Sequence, residues 1–205
     1  MSAPKLVIGT TNPAKLRRYQ TILSEYPSLE VLTLGDFAPL PEVAETGLTA
    51  AENARQKARA YTGWLNLPVL GVDESLRIPA LPENDQPGVN VRRYLGFAAS
   101  DEQLLEGFLA KVRHLPADQR FLVWTYAMHL AFPDGRDFFG EVEQTKQLVL
   151  QPSGPYPAGY PLSSLQVDLK SGKALNDLSP AEEREHLAVV YVKVGKILRQ
   201  AGWVS

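Results

Sequence analysis

Apolar runs of four to seven residues alternate with segments of helical period along the first half of the chain. Residues 5–11 (KLVIGTT) are such a run, and they stop at Asn12-Pro13, a favoured N-cap followed by a favoured first helical residue. The next segment, AKLRRYQTILSEY, places Leu16, Tyr19, Ile22 and Leu23 on one helical face, so a buried strand running into a capped helix is expected. LEVLTL (29–34) and LPVLGVD (67–73) read as two further strands. Between them the Ala-rich stretch from Thr49 onward is helical, with Thr49 as cap and Glu52 three residues later as capping-box partner.

The second half carries a weaker pattern. Residues 79–91 hold Pro79, Pro82, Pro87 and Gly88 and should form a loop. SDEQLLEGFLAKVRHL has Ser100 as cap and an amphipathic period. RFLVWTYAMHLAF and FFGEVEQTKQLVL flank Pro-Asp-Gly-Arg, which predicts an antiparallel hairpin with Phe121, Trp124 and Tyr126 in its core. Residues 152–164 contain four Pro and two Gly and should be irregular. Ser179-Pro180-Ala181-Glu182 is a capping box opening the last helix, whose apolar positions run from 187 to 198. Neither a repeat nor a separating linker is visible, so residues 1–205 should form one continuous α/β domain.

Composition narrows the chemistry. With no cysteine, disulfide scaffolds, thiolate metal sites and Cys nucleophiles are excluded. A net charge of −2 leaves no basic stripe for nucleic acid. No run reaches the roughly 18–20 apolar residues that span a bilayer, and the N-terminus lacks a signal-peptide layout. A soluble, cytoplasmic protein without nucleic-acid or membrane partners is therefore the expectation. His114, His129 and His186 share no ligand spacing and read as structural or exposed.

Two places could hold anions or cations. At the GTTNPAK junction, Thr10, Thr11 and Asn12 precede a helix N-terminus and Lys15 lies one turn in; such a junction suits phosphate, or simply caps a helix. Asp73 closes the third strand, and open α/β sheets bind ligands at strand C-terminal ends. Glu45 and Glu52 flank the start of the Ala-rich helix, and hard carboxylate oxygens of this kind suit Mg²⁺ or merely solvate a loop. Lys57 and Arg93 could meet phosphate or water alike.

Taken in order, these segments resemble the inosine/xanthosine triphosphate pyrophosphatase family. LVIGTTNPAKLRRYQTIL is similar to its strand, T-G-N-x-x-K turn and helix, and VAETGLTAAENARQKARA has its E-T-G-x-T-x-x-E-N-A-x-x-K-A spacing without a gap. LPVLGVDESLRIPAL falls where the family has A-D-D-S-G-L, and PGVNVRRYLG resembles P-G-V-x-S-A-R-Y-x-G. FPDGRDFFGEVE and LSPAEER are looser matches to its hairpin and last helix. The resemblance implies an elongated, two-lobed mixed-sheet fold and Mg²⁺-dependent cleavage of a nucleoside triphosphate to the monophosphate and pyrophosphate by a homodimer. It implies that Thr10, Thr11, Asn12, Lys15, Lys57 and Arg93 face the triphosphate. Glu45 and Asp73 would hold the metal, and Asp73 would activate the attacking water.

The sequence also departs from that pattern. Val72 stands for the first Asp of D-D-S-G and Glu74-Ser75 for its Ser-Gly, while the acidic residue usually three after the turn lysine is Arg18. The G-F-G-Y-D-P loop reads Pro157-Ala158-Gly159-Tyr160-Pro161-Leu162, the S-H-R base-recognition triplet falls on Ala188-Val189-Val190, and the Lys before it on Arg184. A site that has lost hydrogen-bond donors to a base loses much of its discrimination, so altered base selectivity is expected. A nucleotide-binding homologue without turnover is the alternative.

Overall fold

The computed structural model describes residues 3–97 and 99–204. Six strands form one mixed sheet in the order β2-β1-β3-β4-β5-β6. They are β1 (Lys5–Gly9), β2 (Glu30–Thr33), β3 (Val69–Arg77), β4 (Phe121–Ala131), β5 (Asp137–Leu148) and β6 (Gln166–Val167). Five helices accompany them: α1 (Pro13–Leu23), α2 (Ala50–Leu65), α3 (Asp101–Val112), α4 (Pro180–His186) and α5 (Ala188–Gln200). The mixed α/β class read from the sequence is the observed one.

The chain divides into two compact units: Met1–Glu74, Tyr126–Val142 and Val190–Ser205 in the first, Ser75–Thr125 and Glu143–Val189 in the second. In the first unit β1 pairs parallel with both β2 and β3, the last rung with β3 joining Gly9 to Gly71. Parallel neighbours need crossover connections, which α1 and α2 supply. Leu6, Val7 and Ile8 are wholly buried, consistent with an unbroken apolar strand covered on both faces. Val7, Tyr61 and Val69 form a core cluster against which Leu32, Leu34, Phe37, Leu40 and Val43 pack. That packing holds the Pro-rich segment before α2 against the sheet.

α2 lies directly on β3. A Cβ on Gly71 would stand 2.2 Å from the Ala54 carbonyl oxygen and 2.6 Å from the Ala58 amide nitrogen. Only glycine on the strand and the small Ala50, Ala54 and Ala58 on the helix allow this approach, a stripe the i, i+4 spacing spells out. α2 ends at Asn66, which takes the left-handed conformation at φ 51°.

In the second unit, α3 opens with the capping box of Ser100 and Gln103 and buries Leu104, Phe108 and Val112. Residues 149–160 are irregular, but the expected irregularity does not extend to 164: Pro161–Leu165 form a 3-10 helix, to which the Val149 amide is tied through Leu165 and the Ser153 amide through Ser164. Trp124 and Tyr160 lie 5.7 Å apart, ring to ring. Three further expectations are corrected. β3 does not stop at Asp73 but runs on to Arg77; β6 had no signal in the sequence; and the last helix is broken at Leu187, where φ −90°, ψ 10° separates α4 from α5. The Pro-Asp-Gly-Arg turn is as read, with Gly135 at φ +89° and the Phe132 amide donating to the Arg136 carbonyl at 2.9 Å. Trp124 and Tyr126 are buried, as a hairpin core requires, whereas Phe121 at the start of β4 is only half-buried.

Candidate active site

β1 ends level with Gly71, so the β3 residues two and three further on, Asp73 and Glu74, project past its C-terminal end. Ligands of open parallel sheets gather in this position, beyond the carboxyl ends of the strands. Asp73 is thus mid-strand in the ladder of β3 yet at an edge with respect to β1. Both carboxylates are nearly buried, at 3% and 5% exposure. Successive strand residues face opposite sides, and each finds a cation.

Asp73 Oδ1 accepts from the Lys15 ammonium at 2.8 Å and from the Lys57 ammonium at 3.0 Å. Lys57 also donates to Glu45 Oε1 at 2.9 Å. A chain Glu45–Lys57–Asp73–Lys15 results, its members drawn from four segments. Burial works against the charged form of Asp73, but Lys15 and Lys57 prevail and hold its carboxyl below the usual carboxylate range. Burial likewise opposes the Lys15 ammonium, and Glu74 and Asp73 together hold its pKa above the ordinary value. Asp73 Oδ2 is buried and accepts no hydrogen bond. An ionised, desolvated oxygen without a donor is costly, and such an oxygen suits a proton or a cation.

Local sequence explains the geometry. Glu45 begins a turn that α2 itself ties down: the Thr46 amide donates to Gln56 Oε1, Gly47 to Asn53 Oδ1 at 2.8 Å, and Leu48 and Thr49 to Glu52 Oε2. Thr49 Oγ1 accepts in return from the Glu52 amide, completing the capping box. A Cβ on Gly47 would meet Glu52 Cβ at 2.6 Å and Asn53 Oδ1 at 2.7 Å, so the turn admits only glycine. Every fixed residue of E-T-G-x-T-x-x-E-N-A-x-x-K therefore has a task in setting Glu45 opposite Lys57.

At the other junction Asn12 Oδ1 accepts from the Ala14 and Lys15 amides at 2.9 and 3.0 Å, and Thr10 Oγ1 from the Asn12 amide at 3.2 Å. Thr10 and Asn12 thus hold the turn, Thr11 is exposed, and Lys15 is aimed at Asp73. Arg93 lies in the second unit, exposed on a 3-10 turn at 91–93, and belongs to a different unit from the cluster. His114 is exposed, His129 is buried beside Asp137, and His186 Nδ1 lies 2.7 Å from Asp168 Oδ1.

The residues fit a hard divalent cation. Among the described residues no group of three or more His, Asp or Glu gathers as a metal cage. Mg²⁺ does not need one: it takes one or two carboxylates and completes its shell with water and phosphate. The open oxygen of Asp73 and the more exposed Glu45, joined through one ammonium, are such a pair.

Sequence reasoning missed one partnership. Arg18 Nη1 pairs with Glu74 Oε1, with the guanidinium 5.2 Å above the Tyr126 ring. Both had been visible only as separate departures from a motif, 56 residues apart; opposite changes of charge at two such positions were the signal.

Comparisons with known proteins show the family and the fold. The profile of the Ham1 family matches residues 6–186. A dITP/XTP pyrophosphatase of Corynebacterium glutamicum is 32% identical over 188 residues, covering 90% of each chain. One from Symbiobacterium thermophilum is 35% identical over 162 residues, 78% of each. Among solved structures, a nucleoside-triphosphatase (dITP/XTP pyrophosphatase) of Mycobacterium abscessus superposes with a TM-score of 0.68 at 26% identity, covering 93% of this chain and 95% of that one. A HAM1 protein of Coxiella burnetii gives 0.78 at 23% identity, covering 96% and 99%, which speaks to fold. Spacing, sheet order and likeness over nearly the whole length lead to one conclusion: this chain is a member of the Ham1 family.

Proposed function

We propose that the chain is a nucleoside triphosphate pyrophosphatase that hydrolyses the bond between the α and β phosphates, using Mg²⁺ and the Glu45–Lys57–Asp73–Lys15 cluster. The observation that carries this reading is Asp73 Oδ2, ionised, buried and without a donor beside two ammonium groups. The names borne by relatives at 32–35% identity support the reaction class.

In this reading Lys15 and Lys57 turn from Asp73 toward phosphate oxygens as the triphosphate arrives, neutralising charge that grows on the α-phosphate. Asp73, relieved of part of its pairing, becomes a stronger base and takes the water's proton at Oδ2. Glu45 and Asp73 would hold the Mg²⁺, which when bound supplies further neutralisation of the triphosphate. Thr10 and Asn12 shape the turn that delivers Lys15, Thr11 offers a hydroxyl to phosphate, and Arg93 is assigned a phosphate contact in the bound state. A cytoplasmic homodimer accompanies this proposal on the family resemblance, and light scattering in solution tests its mass.

Base selectivity is the less familiar part. Where the family pattern places base-recognition groups, this chain has Pro157 to Leu162, with Tyr160 engaged against the Trp124 ring, and aliphatic Ala188, Val189 and Val190. We infer a ranking among bases different from a strict 6-keto purine preference. Pyrophosphate release with Mg²⁺ over ITP, XTP, dITP, the four standard triphosphates and their deoxy forms tests both statements. Release abolished by Asp73→Asn supports the enzyme; calorimetric binding without release favours the turnover-free homologue.

A further inference from the structure

α1 meets β3 through two ion pairs, not one. Lys15 and Arg18 are three apart and share a helix face; Asp73 and Glu74 are adjacent and face opposite sides of the strand. Lys15 reaches Asp73 past the end of β1, while Arg18 takes Glu74 on the other side. The helix therefore straddles the strand at the point where the cluster is built.

The second pair is enclosed. The Arg18 and Glu74 side chains are 10% and 3% exposed, and Tyr126, wholly buried on β4, lies under the guanidinium. A buried ion pair is a poor device for stability, since an apolar pair of similar volume does as well or better. What it does supply is direction: a planar guanidinium stacked on a ring and paired to one carboxylate has few other places to go. Glu74 also brings its charge close to Lys15 and, with Asp73, holds that ammonium in its charged form.

We propose that Arg18 and Glu74 are a positioning pair, fixing α1 on β3 one turn beyond Lys15 so that its ammonium is held within reach of Asp73 and of a phosphate bound beside it. The proposal rests on the pyrophosphatase reading above. Arg18 and Glu74 touch neither substrate nor metal in it; they act through Lys15.

The test compares the Arg18→Met/Glu74→Leu double variant and the conservative Arg18→Lys with the parent chain. Melting temperature, kcat and KM are measured with Mg²⁺ and the best triphosphate of the panel, together with the ¹⁵N resonance of the Lys15 ammonium, assigned by its loss in Lys15→Met. The double variant should melt close to the parent, because the apolar pair replaces the ionic one. Its kcat should nevertheless fall by about 10²-fold, the cost of small displacements at a reacting centre, while KM changes little. Arg18→Lys keeps the charge but not the planar stack, and should lose part of kcat. The Lys15 resonance should shift or broaden in both. Parent-like kcat and an unmoved Lys15 resonance in both variants overturn the proposal and leave the pyrophosphatase reading intact. A parent chain without turnover, in which the resonance still responds to Arg18 and Glu74, overturns the function and leaves the positioning.

Discussion

The cluster around Asp73 and the segment 161–166 are both buried and both carry polar side chains, but they are built on opposite plans. Around Asp73 the spacing is set by close backbone approaches and caps: Gly71 admits α2 to contact, Gly47 closes the turn before it, and Asn12 caps α1. In 161–166 the backbone is held by hydroxyls and an amide reaching carbonyls three or four residues back. Ser164 Oγ donates to Pro161 at 2.8 Å, Ser163 Oγ to Tyr160 at 2.9 Å and Gln166 Nε2 to Leu162 at 2.9 Å. The first plan fixes spacing and residue type together. The second tolerates many sequences that make the same few bonds, which suits a region whose contacts can be exchanged.

Asp73→Asn strikes the first plan hardest. Removing the carboxylate should lower pyrophosphate release by roughly 10²–10⁴-fold, the range of general-base losses, with a near-native circular dichroism spectrum. Gly71→Ala comes next. The added methyl meets the Ala54 carbonyl, α2 is pushed outward, and the cost is about 1–3 kcal/mol by the measure of overpacked cores. Denaturant titration reads the stability, and turnover should fall with it as Lys57 leaves Asp73. If Gly71→Ala were neutral, the contrast between the plans would collapse.

Ser164→Ala probes the second plan and should cost only about 1 kcal/mol, with turnover unchanged in amount but open to change in base ranking. The smallest effect concerns acid. Burial opposes the Asp168 carboxylate, but His186 and Ser171 overcome it and hold its pKa at about 2. A folded pKa below the unfolded one of about 3.9 contributes stability above that value and loses it as pH falls toward 2. Melting temperature should therefore decline between about pH 4 and pH 2, and Asp168→Asn should flatten that part of the curve.

What could be read in advance follows the same division. The strand–cap–helix of residues 5–23, the capping box at Thr49 and Glu52 and the hairpin turn at Gly135 were legible because each rests on neighbours in sequence. Lys15, Glu45, Lys57 and Asp73 were legible as a set only through the family resemblance, and rigid turns and helix faces are what bring those spacings together in space. The pairing of Arg18 with Glu74 was not, since nothing local couples positions 56 apart. β6 was invisible because its two residues carry no period of their own, and the break at Leu187 because the apolar spacing continues across it. The extension of β3 past Asp73 was concealed by the very charges that make it useful: Asp and Glu are poor strand formers, and their ion pairs override that preference.

The contact at Gly71 also divides the site by timescale. α2 cannot slide on β3, so Lys57 and Asp73 form a fixed anvil whose only adjustment is side-chain rotation, a matter of picoseconds to nanoseconds. Glu45 sits instead on a turn held by the ends of Asn53, Gln56 and Glu52 side chains, and loops so held rearrange in nanoseconds to microseconds. Of the two carboxylates of the cluster, Glu45 is thus the one whose backbone can follow a ligand, while Asp73 and Lys57 keep their register.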